Sequence, residues 1–297
     1  MQESFQPLPY GDLGAPAPRP VPEEPDDRPI TLPRLQQMRE AGERIAMLAV
    51  YDATFAALAA RAGADCLLVG DSLGMVVQGH DSTVPVTMDA MCYHVEAVAR
   101  GVQAVEGRRP LVVADMPFGS YGGRPEDAFA NACRLMQAGA QMVKLEGGGW
   151  TAPLVEMLAA RGVPVCAHLG LTPQHVHALG GYRLQGRSET AARQLKEQAI
   201  ELQYAGASML VLEMVPAWLA QRITRRLQQC STIGIGAGAS THGQVLVAYD
   251  LLGAGTRKPA RFVRDFLSEH ASIPDALRGY VQAVKAGDFP EEERHAW

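Results

Sequence analysis

The chain has 297 residues, 47% of them hydrophobic and only 6% aromatic, with a net charge of −5. That length suits one large α/β domain or two small ones, and it can bury a substantial core. No basic run favours nucleic acid or an anionic membrane, no apolar run reaches the roughly 18 residues of a membrane span, and the acidic, proline-rich start lacks a signal-peptide core.

Residues 1 to about 30 carry eight prolines and little periodic apolar pattern. They read as a flexible or extended tail. Six acids and two arginines there give −4 of the −5, so the rest of the chain is nearly neutral. From Ile45 short apolar runs alternate with alanine-rich stretches. The runs are Ile45–Val50, Cys66–Gly70, Leu111–Ala114, Gln141–Leu145, Val163–Ala167, Ser208–Leu212 and Thr232–Gly236, with an eighth at Gln244–Tyr249. Ala53–Ala62, Pro125–Ala138, Thr151–Arg161 and Thr190–Ala205 between them have the pattern of amphipathic helices. Continuously apolar strands alternating with helices imply a parallel sheet covered on both faces. About eight such units in about 220 residues favour a closed (β/α)₈ barrel, with a doubly wound open sheet as the alternative.

Ala-Gly-Ala recurs at 62–64, 138–140 and 205–207. Each copy ends a helix and starts a strand, so the glycine is expected in a left-handed cap. The five cysteines, Cys66, Cys92, Cys133, Cys166 and Cys230, show no CxxC spacing. They read as reduced core residues of a cytoplasmic protein.

Four strands end in a carboxylate: Asp71, Asp115, Glu146 and Glu213. The C-terminal ends of parallel strands form the active face of such folds. A single strand-ending acid is often only a helix cap. Four together would repel one another, and a hard divalent cation such as magnesium would offset them. Lys144 stands two residues before Glu146, so period-two geometry points both inward, and Lys144 can face an anionic substrate or pair with Asp115 or Glu146. The segments 70–87 and 170–187 are long loops on the same face and could enclose a substrate. His168 either hydrogen-bonds in the site or is a satisfied core histidine. Gly234-Ile235-Gly236-Ala237-Gly238 lacks the full dinucleotide fingerprint and reads as backbone turning or close cofactor approach.

Longer motifs are more specific. They are Val69-Gly70-Asp71-Ser72-Leu73-Gly74-Met75, Gln78-Gly79-His80-Asp81-Ser82-Thr83, Ala114-Asp115-Met116-Pro117-Phe118, Met142-Val143-Lys144-Leu145-Glu146-Gly147-Gly148, His168-Leu169-Gly170-Leu171-Thr172-Pro173-Gln174 and Leu212-Glu213-Met214-Val215-Pro216. In this order the chain resembles the ketopantoate (3-methyl-2-oxobutanoate) hydroxymethyltransferase family from about Ile30 to Pro290. The resemblance implies a TIM barrel of the phosphoenolpyruvate mutase/isocitrate lyase type over residues 31–290, followed by a charged tail over 291–297. It implies 3-methyl-2-oxobutanoate as acceptor and 5,10-methylenetetrahydrofolate as one-carbon donor, in pantothenate synthesis. It implies one magnesium ion held by Asp71, Asp115 and Glu146, oxo-acid contacts from Asp71, Ser72, Asp115 and Lys144, and Glu213 as proton acceptor. It also implies a homo-oligomer, in this family often a decamer of two pentameric rings. Departures cluster near strands seven and eight. Gln229-Cys230-Ser231-Thr232 replaces a common isoleucine-proline pair, His242-Gly243-Gln244 replaces Asp-Gly-Gln, and Tyr249-Asp250 replaces His-Asp. Two rival readings share much of this pattern: a magnesium-dependent carbon–carbon lyase or mutase of another 2-oxo acid, and a non-catalytic paralogue.

Overall fold

The computed structural model describes residues 27–255 and 258–297. Most of the proline-rich stretch therefore lies outside the described residues. Eight parallel strands close into a barrel: β1 (Ile45–Ala49), β2 (Cys66–Val69), β3 (Leu111–Asp115), β4 (Met142–Glu146), β5 (Val165–Gly170), β6 (Met209–Glu213), β7 (Ser231–Ile235) and β8 (Gly243–Val247). They follow one another in sequence order, and β8 pairs with β1. The open-sheet alternative is thereby excluded.

The helices are α1 (Leu32–Glu40), α2 (Ala53–Arg61), α3 (Leu73–Val76), α4 (Met88–Gln103), α5 (Pro125–Gln137), α6 (Ala152–Ala160), α7 (Val176–Leu179), α8 (Glu189–Tyr204), α9 (Ala217–Arg226), α10 (Ala248–Leu251), α11 (Ile273–Ala286) and α12 (Glu292–His295). Side-chain caps fix several starts. Asp52 accepts from the Phe55 amide at 2.9 Å, and Thr87 accepts from the Ala90 amide at 3.1 Å. The repeated Ala-Gly-Ala glycines take the expected left-handed conformation, with φ of 89°, 115° and 104° at Gly63, Gly139 and Gly206.

Two apolar layers result from period-two alternation along the strands. Outward residues such as Leu48, Leu67, Val112, Leu145 and Leu212 pack against the helices. Inward residues such as Met47, Leu68, Val113, Met142 and Val211 fill the barrel. Leu35 and Met38 of α1 belong to that inner cluster, so α1 seals the N-terminal end. Toward the other end the inward positions change character. β3 runs Leu111, Val113, Asp115; β4 runs Met142, Lys144, Glu146; β6 runs Met209, Val211, Glu213. The same alternation that packs the floor therefore delivers charge to the mouth.

Two sequence expectations differ from the fold in detail. The eighth strand ends at Val247 rather than Tyr249, and the chain turns there into α10. The charged segment 291–297 contains α12 and folds back on the barrel. His295 and Ala296 are buried, and the Ala217 amide donates to the Trp297 carbonyl at 2.8 Å.

Candidate active site

The barrel mouth opens into a cavity of about 630 Å³. All six site residues expected from sequence, Asp71, Ser72, Asp115, Lys144, Glu146 and Glu213, line it, as does His168. The strand register explains the meeting. Asp115 pairs beside Lys144, and Glu146 beside His168. Glu213 ends the next strand along. Asp71 reaches the group from the turn after β2, where its amide donates to Asp115 Oδ2 at 2.9 Å.

Lys144 Nζ lies 2.7 Å from Asp115 Oδ1 and 3.8 Å from Glu146 Oε1, with all three side chains buried. Burial alone would favour neutral lysine, but Asp115, Glu146 and Asp71 outweigh it and raise its pKa. The Asp71 carboxyl is pushed well above its ordinary range, first by burial and then by Asp115 and Glu146. Burial pushes Glu213 up to about 8, reinforced by the charge of Glu146. Burial acts on Glu146 in the same direction. There the contacts with His168, Lys144 and the Gln174 amide prevail and hold the group below its usual range.

His168 bridges the two glutamates. Its Nδ1 lies 3.4 Å from Glu146 Oε1 and its Nε2 lies 3.4 Å from Glu213 Oε2. Burial, then the nearby Lys144 charge, lowers its pKa, so the ring is neutral near pH 7. Neither ring nitrogen completes a well-formed hydrogen bond. His168 is thus a member of the site and not a satisfied core histidine.

Sequence reasoning missed three positioning residues. Gln174 Nε2 donates to Asp71 Oδ2 at 2.8 Å and to the Met116 carbonyl at 2.9 Å, while its amide donates to Glu146 Oε2 at 3.0 Å. Tyr121 donates to Gln174 Oε1 at 2.6 Å and holds it in place. Tyr51 Oη and Ser72 Oγ are 2.9 Å apart. Gln174 closes the Thr-Pro-Gln motif, but nothing in its spacing revealed that it spans two carboxylates. Above the site, Tyr182 of the second long loop donates to Met75 Sδ of the first at 3.0 Å, so the two loops expected to enclose substrate do meet.

Among the described residues no three His, Cys, Asp or Glu side chains form a ready-made metal cage. The donor chemistry nevertheless suits a hard cation. Asp71 and Asp115 are adjacent oxygen donors, and each carboxylate oxygen keeps a second lone pair beside its hydrogen bond. Four carboxylates face one ammonium, and after burial the charges of Asp115 and Glu146 add to the rise at Asp71.

A closed parallel barrel with charge gathered at its C-terminal mouth is a (β/α)₈ fold, and the solved structures it resembles share that fold. A 2,3-dimethylmalate lyase, a PEP mutase/isocitrate lyase superfamily member, matches with a TM-score of 0.52 at 17% identity, over 75% of this chain and 82% of that one. A phosphonopyruvate hydrolase, solved with oxalate and Mg++, matches with a TM-score of 0.54 at 13% identity, over 73% and 80%. The chain belongs to the ketopantoate hydroxymethyltransferase family, whose model matches residues 29–292. A 3-methyl-2-oxobutanoate hydroxymethyltransferase of Paracidovorax citrulli (strain AAC00-1) is 62% identical over 289 residues, 97% of this chain and 96% of that one. One of Acidovorax sp. (strain JS42) is 60% identical over 289 residues, 97% of each.

Proposed function

We propose that this protein transfers a one-carbon unit from 5,10-methylenetetrahydrofolate to 3-methyl-2-oxobutanoate, giving 2-dehydropantoate. The observation that carries the reading is the convergence of Asp71, Ser72, Asp115, Lys144, Glu146 and Glu213 on one cavity, in a chain so closely related to enzymes named for that reaction. The catalytic unit is the barrel of residues 31–290, closed by the segment after it.

Lys144 and Ser72 bind the carboxylate and keto oxygens of the oxo acid, and Asp71 and Asp115 hold a magnesium ion with Glu146 beside them. When bound, the metal withdraws electrons from the carbonyl and acidifies the neighbouring C3–H bond. Glu213 accepts the C3 proton, and the upward shift that burial gives its carboxyl strengthens it as a base once ionised. Lys144, already protonated, stabilises the negative charge that develops on the keto oxygen. Neutral His168 stands between Glu213 and Glu146, 3.4 Å from a carboxylate oxygen of each. The C3 carbanion attacks the donor's methylene carbon as its bond to one folate nitrogen breaks; water then supplies the hydroxyl as the second C–N bond breaks, and tetrahydrofolate leaves with the C3 proton and one proton of water on its two nitrogens.

The same reading includes homo-oligomeric assembly, as rings such as a decamer, and work in the cytoplasm on small molecules. None of the helices among the described residues is long and apolar enough to cross a membrane. The decisive experiment follows 2-dehydropantoate formation from both substrates with and without magnesium. Product only with all three is expected. Turnover of the oxo acid without folate would favour the lyase or mutase reading instead, and light scattering at assay concentration checks the assembly.

A further inference from the structure

The cavity has two unlike halves. In a closed eight-strand barrel, β3 and β7 lie four strands apart and face each other across the mouth. Asp71, Asp115, Lys144 and Glu146 stand on the side of β2 to β4, and His168 and Glu213 follow on β5 and β6. On the opposite side the lining includes Ile235, Tyr249, Asp250, Phe262 and Trp297, with the exposed Lys258 and Arg261 beside them. About 630 Å³ lies in the range that holds a drug-sized ligand, and a five-carbon oxo acid occupies only part of it.

The glycine-rich segment after β7 explains how this second wall is built. A Cβ on Gly236 would come within 2.7 Å of Trp297 Cζ3 and 2.8 Å of Phe262 Cδ1, so only glycine admits both rings. Glu292 accepts from the Ala239 amide at 3.3 Å, and the Ala217 amide holds the Trp297 carbonyl at 2.8 Å. Arg261 donates to the carbonyls of Glu293 and Arg294 and lies 5.8 Å from the Trp297 ring centroid. Trp297 and Phe262 pack edge to face, with centroids 6.3 Å apart. Three contacts on Trp297 itself, from the Ala217 amide, Arg261 and Phe262, thus fix an aromatic residue in the mouth.

We propose that Trp297 and Phe262, seated on Gly236, form the wall that receives the one-carbon donor, a flat, nitrogen-rich fused ring whose anionic tail runs out past Arg261 and Lys258. The proposal rests on the transfer reaction above. It also gives Glu213 a reason for its place: β6 lies between the two halves, so the proton leaves C3 beside the line along which the donor carbon must approach. Aromatic side chains suit such a wall because they bring large apolar area at small entropic cost.

The test uses the full chain with magnesium. The chain has three tryptophans, so in a Trp150→Phe/Trp218→Phe background Trp297 is the sole emitter. Tetrahydrofolate is expected to quench its fluorescence saturably, whereas 3-methyl-2-oxobutanoate alone leaves it unchanged; no quenching by tetrahydrofolate overturns the proposal. In steady-state assays Trp297→Ala is expected to raise KM for methylenetetrahydrofolate on the order of 10- to 100-fold, with KM for the oxo acid within about twofold. Trp297→Phe should recover most of the loss. Equal rises in both KM values overturn the proposal. If Trp297→Ala does not fold, the quenching measurement decides. A parent protein that is quenched by tetrahydrofolate yet makes no 2-dehydropantoate refutes the transfer reaction and leaves the wall as a pterin site. One that turns over without quenching refutes the wall alone.

Discussion

Two buried ionic clusters sit at opposite ends of the barrel. At the N-terminal end Asp65 is fully buried, with Lys285 Nζ at 2.7 Å, the Arg108 guanidinium against its other oxygen and the Ala46 amide at 2.8 Å. One carboxylate there meets two cations and a backbone donor. At the mouth, Asp71, Asp115, Glu146 and Glu213 share Lys144 and a neutral histidine. The first cluster is balanced and closes the lower end between α11 and the strands. The second is short of positive charge, and without a cation it is relieved only by the protons that Glu213 and Asp71 retain. Buried charge that is paired marks structure, whereas buried charge left unpaired marks a site awaiting a ligand.

The largest effects should separate these two ends. Asp115→Asn is expected to cost on the order of 10³-fold or more in rate and to abolish magnesium-dependent oxo-acid binding. It removes the 2.7 Å partner of buried Lys144, but also one of several mutually repelling charges, and Glu146 still faces the ammonium, so its unfolding midpoint should fall less than that of Asp65→Ala. Asp65→Ala should do the reverse. It leaves Arg108 without its carboxylate and Lys285 with only Glu43 at 3.1 Å, and costs on the order of 3 kcal/mol, the low end for a broken buried pair because both cations reach solvent. Its kcat at a permissive temperature should stay near the parent value. Calorimetric unfolding and steady-state assays of both variants check the contrast; a catalytic loss in Asp65→Ala to match that of Asp115→Asn would erase it.

Glu213→Gln sharpens the comparison within the mouth, with an expected rate loss of about 10² to 10⁴ and retained oxo-acid binding. Following the C3 proton of 3-methyl-2-oxobutanoate in D₂O by NMR isolates this step, because no folate is needed. Exchange by the variant at the parent rate would reassign Glu213 to capping or packing.

How much of this was legible in the sequence depends on which interaction decided each feature. The barrel was legible because its strands are buried on both faces and read as continuous apolar runs. The mouth was legible because inward positions turn from Met142 to Lys144 to Glu146 at fixed spacing. The end of β8 was not, since Val245 to Tyr249 stays apolar while the backbone passes from strand to helix, and hydrophobicity alone does not mark the change. The segment 291–297 looked like a solvated tail because its acids dominate the composition. Its anchoring depends on two aromatic contacts, the local Phe289 with His295 and the distant Phe262 with Trp297. The departures near strands seven and eight also divide by end. His242 bonds the Thr232 amide at 3.0 Å at the N-terminal end of the barrel, away from the mouth, whereas Tyr249 and Asp250 line the cavity.

Magnesium should reveal the charge imbalance directly. A ligand that binds only the folded state stabilises it by about 2.7 kcal/mol at one hundred times its Kd. Thermal unfolding with magnesium and with chelator should therefore differ for the parent protein and for Asp65→Asn. It should not differ for Asp115→Asn. A shift that persists in Asp115→Asn would place the ion elsewhere.

The smallest expected effect is a pH dependence of stability in the metal-free protein. Burial lifts Glu213 from an ordinary 4.5 to about 8 in the folded chain. Between those values the folded state keeps a proton that the unfolded state has released. Its contribution to stability is therefore complete below pH 4.5, shrinks as pH rises toward 8 and is gone above it. Asp71, also raised by burial and its neighbours, acts in the same sense. Glu213→Gln carries no titrating group at that position, so its unfolding midpoint should fall less steeply than the parent's between about pH 5 and 8, with the remaining slope set by Asp71. The Asp65 end should contribute less of this slope, because Lys285, the Ala46 amide and Arg108 oppose the burial that raises its pKa. Parallel curves for the parent and Glu213→Gln would mean that Glu213 is ionised in the folded chain well below pH 8, and its strength as a base would have to be lowered accordingly.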